Sequence, residues 1–189
     1  VELDDRFADG LAAWPETASG RLTVVRGDAR KIDEAQLVEE AGGDLPAMIV
    51  ANLPYNVGTP LVVKWLKAGP ASGANWRGPM VLMFQKEVAL RICAAPRDDH
   101  YGRLAVLTQA AAKAHIAMTL PPGAFRPPPK VDSAVVVLTP LPPEQAAHRE
   151  VQVDRLGIDL DDLDEGLDRL VRLLVQQEIE AAEIRQRQR

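Results

Sequence analysis

Ala47-Met48-Ile49-Val50-Ala51-Asn52-Leu53-Pro54-Tyr55 is the stretch on which the reading of this chain turns. Five apolar residues in a row read as a buried strand. The strand must stop at Asn52-Leu53-Pro54-Tyr55, because Pro54 has no N–H to give to a ladder. Working outward, Leu22-Thr23-Val24-Val25 reads as an earlier strand stopped by Gly27-Asp28, and Met80 to Phe84 as a later one. Thr59-Pro60 opens a helix over Leu61 to Lys67, with threonine as cap and proline in its first turn. Gln85 to Ala94 and Leu104 to Ala114 read as two more helices, and Ala134 to Leu138 as a β-branched strand buried on both faces. Short apolar runs alternating with helical stretches define an α/β protein.

Two stretches do not fit that rhythm. Pro121-Pro122 and Pro127-Pro128-Pro129 bracket Gly123-Ala124-Phe125-Arg126, which predicts a stiff loop presenting Phe125. Beyond Pro143 the composition turns charged, and Leu163, Leu167, Leu170 and Leu174 fall on one stripe of an amphipathic helix. The expected division is a domain over 1–142 followed by a linker and acidic helical tail over 143–189.

The 189 residues carry a net charge of −5, but the charge is unevenly placed. Residues 1–59 are net −6, residues 60–143 net +6, and the remainder net −5. A basic middle third is the electrostatic footprint of phosphate binding. No apolar run is long enough to cross a membrane, and the first residues lack the pattern of a signal peptide, so a cytoplasmic protein is expected. Cys93 is the one cysteine, and His100, His115 and His148 are scattered, so no metal site is expected.

Ligands of open α/β sheets bind outside the carboxyl ends of the strands. Glu2, Asp28 and Asn52 each follow a strand-like run, and a carboxylate so placed can accept hydrogen bonds from both hydroxyls of a ribose. Asn52-Leu53-Pro54-Tyr55 suits a different task. An adenine amine is a poor nucleophile because its lone pair is delocalised into the ring. The amide oxygen of Asn52 and the carbonyl of Leu53, aimed at its two N–H bonds, would favour a pyramidal nitrogen and take up developing positive charge. Pro54 would stiffen the turn, and Tyr55 would stack on an extruded base.

Taken together, the blocks Val1-Glu2-Leu3-Asp4, Gly27-Asp28-Ala29, Ile49 to Asn56, Gln85-Lys86-Glu87-Val88-Ala89, Tyr101-Gly102-Arg103-Leu104 and Gly123 to Val135 resemble, in order, the bacterial small-subunit ribosomal RNA adenine dimethyltransferases. The likeness covers residues 1 to about 141. It implies a Rossmann-like methyltransferase sheet lacking its first strand, because the family's first strand and glycine-rich loop would precede Val1. The chain is accordingly expected to be an N-terminally truncated fragment with impaired activity.

The resemblance further implies S-adenosylmethionine as cofactor, with Glu2 on its ribose, Asp28 on its adenine amine, and Asn52 facing both methyl donor and target amine. Tyr55 and Phe125 would hold the target adenine, and Lys86, Arg91, Arg103, Arg126 and Lys130 would lie against RNA phosphates. The implied reaction is dimethylation of two adjacent adenines of the small-subunit (16S) rRNA, within the precursor of the 30S subunit during ribosome assembly, by a monomer. The competing expectation is a non-catalytic rRNA-binding assembly factor on the same fold.

Overall fold

The computed structural model describes residues 1–54, 56–68 and 76–146. The chain divides into two compact units, Val1–Ala47 and a second from Met48 onward. The tail expected over 143–189 lies, past Ala146, outside the described residues, as do its leucine stripe and His148.

The first unit is built from local signals. Asp4 precedes helix α1 (Asp5–Ala12) and accepts a hydrogen bond from the Arg6 amide, while Asp33 does the same for α3 (Glu34–Glu40) through Gln36. Between them lies the short α2 (Pro15–Ala18). The run Leu22–Val25, expected as a strand, is reduced to one parallel bridge between Glu2 and Arg26, held by Glu2 N to Val25 O and Gly27 N to Glu2 O. Neither partner run extends far enough to form a ladder. Ala8 is the only hydrophobic residue buried in this unit, and Leu3, Phe7 and Trp14 are exposed.

The second unit carries a sheet of β1 (Ala47–Asn52), β2 (Arg77–Gln85), β3 (Ala112–Leu120) and β4 (Ser133–Pro140), in the order β1-β2-β4-β3. Strand β4 runs antiparallel to both neighbours, pairing Phe84 with Ala134 on one side and Ala114 with Leu138 on the other. Helices α4 (Gly58–Lys67), α5 (Lys86–Cys93) and α6 (Arg103–Ala111) contribute Leu61, Val62, Leu66, Ile92, Leu104 and Leu107 to the core. These pack with Met80, Leu82, Phe84, Val136 and Leu138 of the two middle strands, all nearly inaccessible.

Three expectations change here. The run Leu104–Ala114 is not one helix: α6 ends at Ala111, and Ala112 has extended geometry and opens β3. Pairing with β4 supplies what local propensity does not. Thr59 is not the cap of α4, which starts at Gly58; its place is taken by the Pro54 carbonyl, which accepts from Val57 and Gly58. Finally, β1 is apolar on both faces but alternates, with Met48 and Val50 exposed at 62% and 70%. It stands at the edge of the described sheet.

At the base of β2, Arg77 is only 2% exposed, and its guanidinium nitrogens have no hydrogen-bond partner among the described residues. Burial pushes this group down to about 10.

Candidate functional site

Asn52 ends β1 and is exposed, while the next residue, Leu53, turns inward and is buried. This inversion anchors the turn. Leu53 packs near Gly58, where an added Cβ would lie 3.3 Å from the Phe84 ring and 3.4 Å from the Leu53 Cβ. A glycine is therefore what lets α4 start so close to both. Since the Val57 and Gly58 amides go to the Pro54 carbonyl, at 3.1 and 3.0 Å, the turn is closed by Pro54 and not by Leu53. The carbonyl of Leu53 is left outside these turn bonds.

The recess behind the turn is lined by Leu53, Pro54, Gly58, Thr59, Phe84, Gln85 and Val88, and its volume is about 10 Å³. That is room for about one water. A group the size of a planar base does not fit behind the turn, and on its outer side Asn52 and Pro54 are exposed. Gln85 also lines a more open groove of about 380 Å³, together with Lys86, Glu87, Leu90, Val131 and Asp132.

The other expected residues fall into three groups. Phe125 is half-buried just after a 3₁₀ turn (Pro122–Ala124), in the irregular loop that the prolines predicted. Arg103, Arg126 and Lys130 are exposed and Arg91 is half-buried, and the described residues offer these four no ion-pair partner. Lys86 differs: its Nζ lies 3.3 Å from Asp132 Oδ2, and its amide donates to the Asp132 carbonyl at 2.9 Å. Tyr55 lies outside the described residues.

Glu2 and Asp28 belong to the first unit, where the Glu2–Arg26 bridge brings their two chain segments side by side. Glu2 Oε1 accepts the Asp4 amide at 2.8 Å, which leaves its second oxygen for another donor. Asp28 is engaged by Arg30, whose guanidinium donates to both carboxylate oxygens and whose amide donates to Oδ1. The Arg30 guanidinium, then its amide, hold the Asp28 carboxyl down to about 2. Two carboxylates at the ends of neighbouring extended segments fit a ligand that offers ribose hydroxyls and an exocyclic amine, provided Arg30 gives way at Asp28.

A sheet with an antiparallel strand set between β2 and β3, and an Asn-Leu-Pro turn at the end of β1, places the chain in the fold class of the Rossmann-like methyltransferases. The dimethyladenosine transferase of Plasmodium falciparum superposes with a TM-score of 0.58 at 30% identity, covering 76% of this chain and 47% of that one. The 23S rRNA methyltransferase ErmE shares the fold, with a TM-score of 0.57 at 23% identity over 74% of this chain and 50% of its own. Residues 1–153 match the family described as Ribosomal RNA adenine dimethylase, and the chain belongs to that family.

Two relatives are each named Ribosomal RNA small subunit methyltransferase A. That of Maricaulis maris is 49% identical over 156 residues, which is 82% of this chain and 52% of the relative. That of Caulobacter vibrioides is 55% identical over 140 residues, 74% of this chain and 50% of the relative. The chain thus spans about half the length of the curated relatives it matches.

Proposed function

We propose that this chain forms part of an S-adenosylmethionine-dependent enzyme that dimethylates the exocyclic amines of adjacent adenines in small-subunit rRNA during assembly of the 30S subunit. The observation that carries this reading is the turn at the end of β1. It exposes Asn52 on a backbone pinned by buried Leu53 and by the Pro54 carbonyl. Such a turn holds its acceptors in place before the base arrives, so little reorganisation accompanies charge development.

The Asn52 amide oxygen accepts one N–H of the target amine and the Leu53 carbonyl the other, which turns the nitrogen lone pair outward. The cofactor, when bound, supplies a methyl carbon activated by its sulfonium. Glu2 orients the cofactor's ribose and Asp28 its adenine amine. Phe125 and Tyr55 hold the target base between aromatic faces, and Arg91, Arg103, Arg126 and Lys130 provide positive charge for the RNA backbone. The protein is monomeric and cytoplasmic in this reading, and needs no metal. Its relatives' shared name favours this account over the non-catalytic assembly factor.

The test uses the whole protein, undermethylated small subunits and labelled cofactor. Asn52→Ala lowers transfer by at least about 10²-fold, the scale for losing one pre-positioned polar group, and leaves rRNA affinity nearly unchanged. Loss of RNA binding and transfer together would assign Asn52 a structural role. Calorimetry of the same protein should show cofactor binding; RNA binding without it would restore the non-catalytic account.

A further inference from the structure

Lys86 is the first residue of α5, a poor place for a cation, because the helix N-terminus already carries partial positive charge. Its placement there needs a compensating anion, and Asp132 supplies one across 46 residues of sequence. The two residues are tied twice, once through Nζ and Oδ2 at 3.3 Å and once through the Lys86 amide and the Asp132 carbonyl at 2.9 Å. Directly behind them, Gln85 pairs with Ser133 in the β2–β4 ladder, and Ser133 is only 2% exposed. The clip therefore sits where the proline-rich loop returns to the sheet, on the wall of the groove that Gln85 shares with the recess behind the Asn52 turn.

The loop enters from β3 at Leu120 and leaves through Asp132. Five prolines between these points restrict its backbone, so its course is set largely by how its two ends are held. Phe125, Arg126 and Lys130 all ride on it. We infer that Lys86 and Asp132 are a positioning pair that sets the placement of this loop against the carboxyl end of β2, and that Lys86 serves this contact and not an RNA phosphate. The inference rests on the proposed function only for what the loop is positioned to do. Both side chains are 46% and 40% exposed, so the pair is weak alone and salt-sensitive.

Hydrogen exchange read by mass spectrometry on the full chain tests this without RNA or cofactor. Lys86→Met and Asp132→Asn each speed exchange of the Gly123–Asp132 peptide by about two- to five-fold, the scale of an exposed pair. The double exchange Lys86→Asp with Asp132→Lys restores protection, and so does Lys86→Arg. Raising salt speeds exchange of the same peptide in the parent chain but not in Lys86→Met. Unchanged exchange in the single variants, or no recovery in the double exchange, overturns the pairing.

A second arm measures binding of an rRNA hairpin against salt. Lys86→Met leaves the slope of log affinity on log salt unchanged, whereas Lys130→Met lowers it by about one. A fall of about one for Lys86→Met would return that lysine to the phosphate contacts and overturn the inference. Absence of RNA binding by the parent chain would instead count against the proposed function and leave the exchange result standing.

Discussion

The two units of this protein hold their candidate site residues in opposite ways. From Met48 onward, the Asn52 turn grows out of a sheet whose middle strands are buried along one face, and Leu53 and Phe84 extend that core to the site itself. In Val1–Ala47, Glu2 and Asp28 rest on one bridge, two aspartate caps and surface ion pairs, with Ala8 alone buried. The acceptors proposed for the target amine thus sit on packed structure, and the carboxylates proposed for the cofactor sit on structure maintained by hydrogen bonds and charge. Packing resists salt and acid, whereas exposed charge pairs do not. The contrast yields a graded set of expectations.

Leu82→Ala should show the largest effect on stability. Leu82 is fully buried in β2 opposite Val136, and truncation there costs about 2–5 kcal/mol through lost transfer energy and a residual cavity. Phe7→Ser in α1, where the ring is 64% exposed, should move stability by no more than about 0.5 kcal/mol. Urea unfolding of each variant measures both. Similar losses would show that the first unit has more packing than its exposure suggests.

Arg77→Met should move stability the other way. A buried guanidinium without hydrogen-bond partners among the described residues pays a desolvation cost that an apolar side chain of similar length avoids, a gain of about 1–4 kcal/mol. The sign of its pH dependence follows from burial. Burial holds the folded pKa down to about 10, below the ordinary arginine value, so the folded state binds this proton less tightly than the unfolded state. The penalty is complete below pH 10 and shrinks as pH rises from about 10 towards the ordinary arginine range, so the advantage of Arg77→Met should narrow above pH 10. Destabilisation by Arg77→Met at pH 7 would reveal a partner for the guanidinium.

Where the sequence was legible follows the same division. Apolar runs bounded by turn residues marked β1, β2 and β4 to within a few residues, because strands near a core advertise themselves by composition. Strand β3 was hidden: Ala112-Lys113-Ala114-His115 has no strand preference of its own and is extended through its pairing with β4. Leu22–Val25 had the opposite fault, since a β-branched run does not make a strand without a partner of equal length. At the site, Asn52 and the proline loop were readable because proline limits the backbone wherever it stands. The clip between Lys86 and Asp132 and the buried state of Arg77 were not, since both depend on residues brought together by the fold. Arg30 was likewise passed over, although its position two residues after Asp28 is the spacing that lets it close back on that carboxylate.

Arg30 also gives the smallest and most local expectation. The Asp28 carboxyl is held down to about 2 first by the Arg30 guanidinium and second by the Arg30 amide. In Arg30→Gln the guanidinium is gone but the amide remains, so the Asp28 pKa should rise most of the way towards the ordinary aspartate value without reaching it. Carbon-detected NMR of the Asp28 carboxyl through an acid titration would measure this. Because the folded pKa lies below the unfolded one, the pair's contribution is present above about pH 4 and disappears as pH falls towards 2. The parent chain should therefore lose local order around residues 28–30 over that interval, and Arg30→Gln should change much less there. Equal acid sensitivity would assign the low pKa to the turn backbone and not to the Arg30 guanidinium.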